Sequence, residues 1–334
     1  LHGLHWFDPF GSVKFEDLCS VPPIGWNDSA QRYLFWDQEP LHQDLVDQTL
    51  KEFVKMFDRG TRHIITSEYA SENVERIQNT YGFRPHYYFF HGWAALDWFR
   101  GYNHSFLIKP YQERKITKTF IMPNRVVAGE RQHRLIMLHY IFKCGMQNNH
   151  ISCPEVCPAE NIHINDAIKG LFNKLPDIKE VFNRQTFPME FPNESGAPMH
   201  SCWLSLFDEC AESLLYLVTE TVATGRRQHL TEKTFKPICL KMPFMIAGTA
   251  GSLKYLRSYG FKTFSHLWDE SYDLCEGPQR WKLMQQTMRH ISNKTKDEQL
   301  ELLSKAQEIA LYNRQRLRKI ATYEVDLTKH DYKN

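Results

Sequence analysis

The feature that most constrains the fold is a recurring rhythm of short apolar run, polar loop and helical spacing. It first appears at Arg32-Tyr-Leu-Phe-Trp36, followed by Asp37-Gln-Glu-Pro40 and then by Leu45, Val46, Leu50, Phe53, Val54 and Phe57 at helical intervals. It returns at His63-Ile-Ile-Thr-Ser67 before a helical stretch over 70–80, and His86-Tyr-Tyr-Phe-Phe90 reads as one more strand. Strands that alternate with helices predict βαβ units, and so an α/β chain built on parallel sheets.

A second series starts at Thr119-Phe-Ile-Met122, passes through Pro123-Asn-Arg125 and Gly129, and enters a helix over 131–144 with Leu135, Ile136, Leu138, Ile141 and Phe142 on its apolar face. The region 153–198 is repeatedly broken by proline and reads as connections and short helices. Beyond it come a strand at Phe244-Met-Ile-Ala247, a Gly248-Thr-Ala-Gly251 turn, a helix over 252–259 and a short strand at 262–264. The stretch 295–323 is one long amphipathic helix. At 334 residues the chain exceeds one ordinary compact core. The charged, turn-rich stretch 109–118 is the expected linker, which gives Rossmann-like domains over 1–112 and 113–318 and a tail over 319–334 that packs back toward the first domain.

A net charge of +2 leaves no strong overall footprint for nucleic acid, although a local basic face is compatible with it. The 8 cysteines are scattered, several within apolar runs, which favours reduced, buried thiols and a cytoplasmic protein over a disulfide framework. No run approaches the roughly 20 apolar residues of a membrane span. The chain opens on Leu1 rather than Met, which leaves room for a preceding segment.

The most chemically informative stretch is Leu214-Leu-Tyr-Leu-Val-Thr-Glu-Thr221, a strand-like run, followed by a polar loop and Thr231-Glu-Lys-Thr-Phe-Lys-Pro237. The end of a parallel strand and the start of the next helix is where an open α/β sheet holds a nucleotide. Thr231 fits the N-cap, which turns Lys233 and the first-turn N–H groups toward one anion. Glu220 and Glu232 cannot bind phosphate, but carboxylates accept hydrogen bonds from ribose or sugar hydroxyls, so the combination suits a sugar nucleotide. The plainer alternatives are helix capping for the carboxylates and a solvated lysine. Cys153-Pro-Glu-Val-Cys157 with His150 and His163 matches no common zinc spacing, so no metal site is expected. The aromatic stretch 92–102, with Trp93 and Trp98, reads either as core packing or as a stacking platform.

Several of these residues resemble motifs of the α1,3-fucosyltransferase family. Val218-Thr-Glu220, Thr231-Glu-Lys233, Pro243-Phe-Met-Ile-Ala-Gly248 and Leu253-Lys-Tyr-Leu256 follow the order of its donor-binding motif. Tyr33-Leu-Phe-Trp-Asp-Gln-Glu-Pro40 is similar to its aromatic strand ending in the catalytic glutamate, and Ile121-Met-Pro-Asn124 with Arg131 is similar to its diphosphate-gripping stretch. Over most of its length the chain more closely resembles glycosyltransferase-like proteins of tailed bacteriophages, on Asp37-Gln-Glu-Pro40, Phe90-His-Gly-Trp-Ala-Ala-Leu-Asp-Trp98 and Ser258-Tyr-Gly-Phe-Lys-Thr-Phe264.

The resemblance implies a GT-B fold with an acceptor-binding first domain and a donor-binding second domain. It implies a metal-independent, inverting glycosyltransferase that uses a nucleotide sugar as co-substrate and no cofactor, in the cytoplasm of an infected bacterium. Glu39 is then the general base, with Asp37 as the alternative. Asn124, Arg125, Arg131, Arg134, Glu220, Thr231, Glu232 and Lys233 hold the donor, and Trp36, Trp93 and Trp98 serve the acceptor. That acceptor is 5-hydroxymethylcytosine in phage DNA or a glycan hydroxyl, and a base in duplex must be flipped out to react. The contrasting class is a non-catalytic module that binds nucleotide, glycan or DNA on the same fold.

Overall fold

The computed structural model describes residues 4–7, 32–36, 40–41, 43–56, 61–87, 114–191 and 204–323. The chain is mixed α/β with parallel sheets, and it divides into two compact units. The first gathers the described residues up to 87 together with Gly225–His229, and the second holds 114–224 and 230–323.

In the first unit, strands β1 (Leu4–Phe7), β2 (Arg32–Trp36), β3 (Arg62–Thr66) and β4 (Phe83–Tyr87) form a parallel sheet in the order 1-2-3-4. Helix α1 (Gln43–Met56) follows β2, and α2 (Glu72–Tyr81) follows β3, as the apolar spacing predicts. Ser71 caps α2 by accepting from Asn73 N at 3.1 Å, and Gly82 ends it in the left-handed region at φ 68°. Leu34, Trp36, Leu50, Phe53, Ile64 and Ile77 are wholly buried in this unit's core.

In the second unit the sheet order is β10-β9-β5-β6, all parallel, with β5 (Lys118–Met122), β6 (His150–Ile151), β9 (Ser213–Thr219) and β10 (Phe244–Ala247). A small antiparallel pair, β7 (Val156–Cys157) and β8 (Ile162–His163), stands apart. Every residue of β9 is buried, as expected for an apolar run at the centre of a covered parallel sheet. The helices are α3 (His133–Lys143), α4 (Ile164–Ala167), α5 (Ile178–Asn183), α6 (Phe207–Glu212), α7 (Glu232–Cys239), α8 (Ser252–Ser258), α9 (Gly277–Ser292) and α10 (Lys296–Tyr323). Helix α10 packs on α7 and β9.

Three sequence expectations change. The strand at 262–264 is absent: Lys262 N and O are both taken at 2.8 Å by the side-chain amide of Asn313 on α10, and Phe264 N donates to Glu270 at 2.7 Å. A side chain supplies the pairing that a neighbouring strand would have given. The helix expected over 131–144 starts two residues later, as α3, after a 3-10 turn at Gly129–Arg131. Helix α10 runs without a break at 318, so 319–323 continue it, and 324–334 lie outside the described residues. No helix among the described residues is long and apolar enough to cross a membrane.

Candidate functional site at the end of β5 and β9

Strand order decides where the second unit can hold a ligand. From β5 the chain crosses to β6 on one side, whereas from β9 it crosses to β10 on the other, so the two crossovers leave β5 and β9 in opposite directions. The carboxyl ends of such a strand pair border a crevice. Asn124 follows β5, and Glu220 and Thr221 follow β9, at this switch point.

Thr231 is the N-cap of α7, with an extended backbone and its hydroxyl accepting from Lys233 N at 3.4 Å. The same hydroxyl donates to Glu220 Oε2 at 2.6 Å, and Thr231 N donates to Oε1 at 3.0 Å. Thr234 Oγ1 at 2.5 Å and Thr221 N at 3.2 Å complete the set around Glu220. A carboxylate has about four acceptor positions, and protein donors fill all of them here. Glu220 therefore anchors the helix start, where the sequence reading had turned it toward the sugar. Gly248, at the end of β10, permits this: a Cβ there would lie 3.4 Å from Glu220 Cβ and Cγ and 2.9 Å from Ser252 Oγ.

Lys233 is 29% exposed. Its ammonium donates to Glu232 Oε1 at 2.7 Å and reaches Thr221 and Thr231 hydroxyls at 3.3 Å. Burial, the largest influence on Glu232, pushes its carboxyl up, but the charges of Lys233 and Lys236 and the hydrogen bond from Lys233 together leave it below the usual range. Glu232 is thus an ionised acceptor beside a half-exposed cation at a helix N-terminus. A phosphate oxygen can replace the two long threonine contacts without breaking the short one to Glu232.

The remaining donor candidates have other duties. Asn124 is buried, accepts from Thr219 Oγ1 at 2.8 Å and donates through Nδ2 to Ser152 O at 3.2 Å, stitching β5 to both neighbours. Arg134 is also buried and donates to Val126 O at 2.6 Å, Thr219 O at 3.0 Å and Glu220 O at 3.1 Å. Burial, with the charge of Arg131 next, pulls its guanidinium down to about 10. Both residues build the floor of the crevice by holding main chain, in place of the ligand contact expected of them. Arg131 is half-buried and lies 3.6 Å from Glu160, and Arg125 is half-buried in the loop after β5.

Sequence reasoning missed three supporting residues. His133 Nε2 lies 3.0 Å from Glu220 O, and its ring stacks on Trp281 at 6.0 Å; burial, then the charge of Arg134, depresses its pKa to about 3, so it is neutral. Asp273 accepts from Leu253 N at 2.9 Å and Lys254 N at 3.0 Å, which closes the start of α8. Arg280 is buried and donates to Gly248 O at 2.9 Å, Ile246 O at 3.2 Å and Tyr272 O at 2.6 Å, fixing the glycine turn. Their partners are mostly main-chain atoms distant in sequence, which leave no local signal.

Asp37, Glu39, Trp93 and Trp98 lie outside the described residues. Trp36 is wholly buried in the first unit's core, on the same strand face as Leu34, so it packs the sheet and cannot stack on an acceptor. Among the described residues, no three His, Cys, Asp or Glu side chains gather to hold a metal ion. His150 lies 3.0 Å from Glu212, His163 caps α4, and Cys153 is buried, with burial pushing its thiol well up.

A site at a switch point, with a capped helix start, a cation and a buried carboxylate, defines a candidate anion-binding crevice of the α/β class. Compared with protein-family models, with curated proteins and with solved structures, the chain gives no match.

Proposed function

We propose that the chain is a metal-independent, inverting glycosyltransferase of GT-B architecture, related to those of tailed bacteriophages, that moves a sugar from a nucleotide donor to an acceptor hydroxyl. The observation that carries this reading is the meeting of Lys233 and the Thr231-capped start of α7 with the crevice between the ends of β5 and β9. On this reading the donor diphosphate lies against Lys233 and the first turn of α7, and Glu232 accepts from the ribose hydroxyls. As the glycosidic bond breaks, negative charge grows on the leaving diphosphate. A fixed cation and oriented N–H groups then stabilise that charge more than they stabilise the intact donor. Glu39 takes the acceptor proton as its oxygen attacks the anomeric carbon. The acceptor we favour is 5-hydroxymethylcytosine in phage DNA.

A thermal-shift screen of nucleoside diphosphates and sugar nucleotides tests the donor side, since a ligand bound only by the native state raises Tm by mass action. Lys233→Ala is expected to lower transfer by about a hundredfold or more and to weaken nucleotide binding strongly. Glu39→Gln is expected to abolish transfer and leave nucleotide binding intact, and unchanged turnover in that variant overturns the base assignment. Transfer to hydroxymethylated duplex but not to glycans fixes the acceptor. The opposite result redirects the reading to a glycan-modifying enzyme, and tight nucleotide binding without transfer to redirects it to a non-catalytic module.

A further inference from the structure

The hairpin of β7 and β8 pairs with neither main sheet, and its turn brings Glu160 against the 3-10 turn that precedes α3. Glu160 Oε1 lies 3.6 Å from Arg131 Nη1, and Glu160 Oε2 accepts from the buried Cys157 thiol at 2.6 Å. The carboxylate also rests against the turn itself, since a Cβ on Gly129 would stand 3.4 Å from Glu160 Oε1. Glu160 is therefore fixed by its own hairpin on one side and faces a guanidinium on the other.

Arg131 and its neighbour Arg134 use their guanidinium groups differently. Arg134 spends its donors on Val126 O, Thr219 O and Glu220 O at the crevice floor. Arg131 makes no side-chain hydrogen bond among the described residues, because 3.6 Å to Glu160 is an ion pair beyond hydrogen-bond reach. Its N–H groups thus stay available to phosphate oxygens, which a guanidinium can grip in pairs. The two arginines also oppose each other: after burial, the charge of Arg131 is the largest influence pulling the Arg134 guanidinium down. Arg131 is 22% exposed, so without a counter-charge that repulsion would turn it out to solvent. Glu160 supplies the counter-charge at a distance that leaves the donors of Arg131 unspent.

We infer that Glu160 is a positioning residue for the donor diphosphate: it keeps the Arg131 guanidinium turned in beside Arg134, and Cys157 fixes Glu160 for that task. The inference rests on the donor reading given above and adds to it a carboxylate that touches no ligand.

The test is calorimetric binding of ADP, GDP, UDP and CDP to the full chain and to the Arg131→Gln, Glu160→Gln and double variants. Arg131→Gln is expected to weaken the nucleotide that binds by about tenfold or more, and Glu160→Gln by several-fold. The double variant should bind no more weakly than Arg131→Gln alone, because Glu160 acts only through Arg131. Glu160→Gln keeps the side chain's length and an acceptor for the Cys157 thiol, so the hairpin should melt with the parent. Cys157→Ala should weaken binding in the same direction, and Cys157→Ser, which keeps a donor to Glu160, should restore it. A purely structural ion pair would lower Tm and leave affinity unchanged. Unchanged or tighter binding in Glu160→Gln, or additive losses in the double variant, overturn the positioning role; if Lys233→Ala still weakens binding, the donor reading survives that result. A parent that binds none of the four nucleotides overturns both.

Discussion

Two buried glutamates, one in each unit, solve the same local problem and differ in what surrounds them. Glu68 follows β3 and accepts from Leu41 N at 2.8 Å, from the Asn73 amide at 3.2 Å and from Ser71, the N-cap of α2. Glu220 follows β9 and accepts from Thr231, the N-cap of α7, together with Thr234 and two backbone N–H groups. In both places a carboxylate at a strand's end fixes the hydroxyl that caps the next helix. Glu68 has a guanidinium 3.8 Å away in Arg227, from the 225–229 stretch that belongs to the first unit; all four hydrogen bonds to the Glu220 carboxylate come from neutral donors, and the buried Arg134 guanidinium acts on it through charge without bonding to the carboxylate. The described strands of the first sheet run in sequential order, so β3 has no reversal of crossover beside it, whereas β9 stands at one. The device is therefore an anchor, and the strand order around it decides whether a crevice adjoins it.

The largest effects should come from removing the anchors. Glu220→Ala leaves two backbone N–H groups and two hydroxyls buried without partners, a loss of about 3–5 kcal/mol given 1–3 for each unsatisfied group and partial relaxation. Glu68→Ala should cost a similar amount. Hydrogen exchange separates the two: the first variant should lose protection over 213–219 and 232–239, the second over 62–66 and 72–81. If Glu68→Ala opens 232–239 as fully as its own helix, the two anchors belong to one cooperative network and the comparison between units fails. A Glu220→Gln variant of full stability with a raised donor KM would instead return Glu220 to ligand contact.

A smaller effect is expected from Gly248→Ala. Its new Cβ would meet Ser252 Oγ at 2.9 Å, and that hydroxyl is held by its own bond to Thr249 O at 2.7 Å. Displacing it, and crowding Glu220, should cost about 1–3 kcal/mol by urea denaturation. A cost near zero would mean that Glu220 has room to move and is a looser anchor than its four donors imply.

Legibility in the sequence follows the range of the interactions. β9, α7 and the Thr231 cap were readable because an apolar run, a polar hydroxyl and helical spacing lie within one short stretch. Lys233 and Glu232 meet for the same reason, as neighbours on one turn. Asn124, in the loop after β5, and Arg134, on α3, are held chiefly by groups far along the chain, the carbonyls of Ser152 and Thr219 and the Thr219 hydroxyl, which no local pattern reveals. Trp36 was misread because an aromatic at a strand end looks the same whether it faces a ligand or, as here, the core. The missing strand at 262–264 depended on Asn313, which lies 51 residues further on.

The units also differ in how they should respond to acid. In the first, His63 Nδ1 and His86 Nε2 on adjacent strands lie 2.8 Å apart, a contact that needs one donor and one acceptor and so is lost when both rings are protonated. Burial, then the His86 and Arg84 charges, lowers the His63 pKa, and burial lowers that of His86. In the second, His133 is depressed to about 3 from an ordinary value of 6.5, by burial first and by Arg134 next. Each folded pKa lies below the unfolded one, so between them the unfolded chain binds more protons. The stability these rings contribute is complete above 6.5 and is lost as pH falls from there toward the folded pKa. For His133 that loss runs at about 1.4 kcal/mol per pH unit once below its unfolded pKa. His133→Gln keeps an N–H for Glu220 O and cannot titrate, so its denaturation midpoint should fall less steeply with acid. His139, lowered chiefly by burial, titrates in both proteins and drops out of the difference. Parallel pH slopes for parent and variant would show that His133 already takes up a proton in the folded protein, and that the end of β9 is open to water.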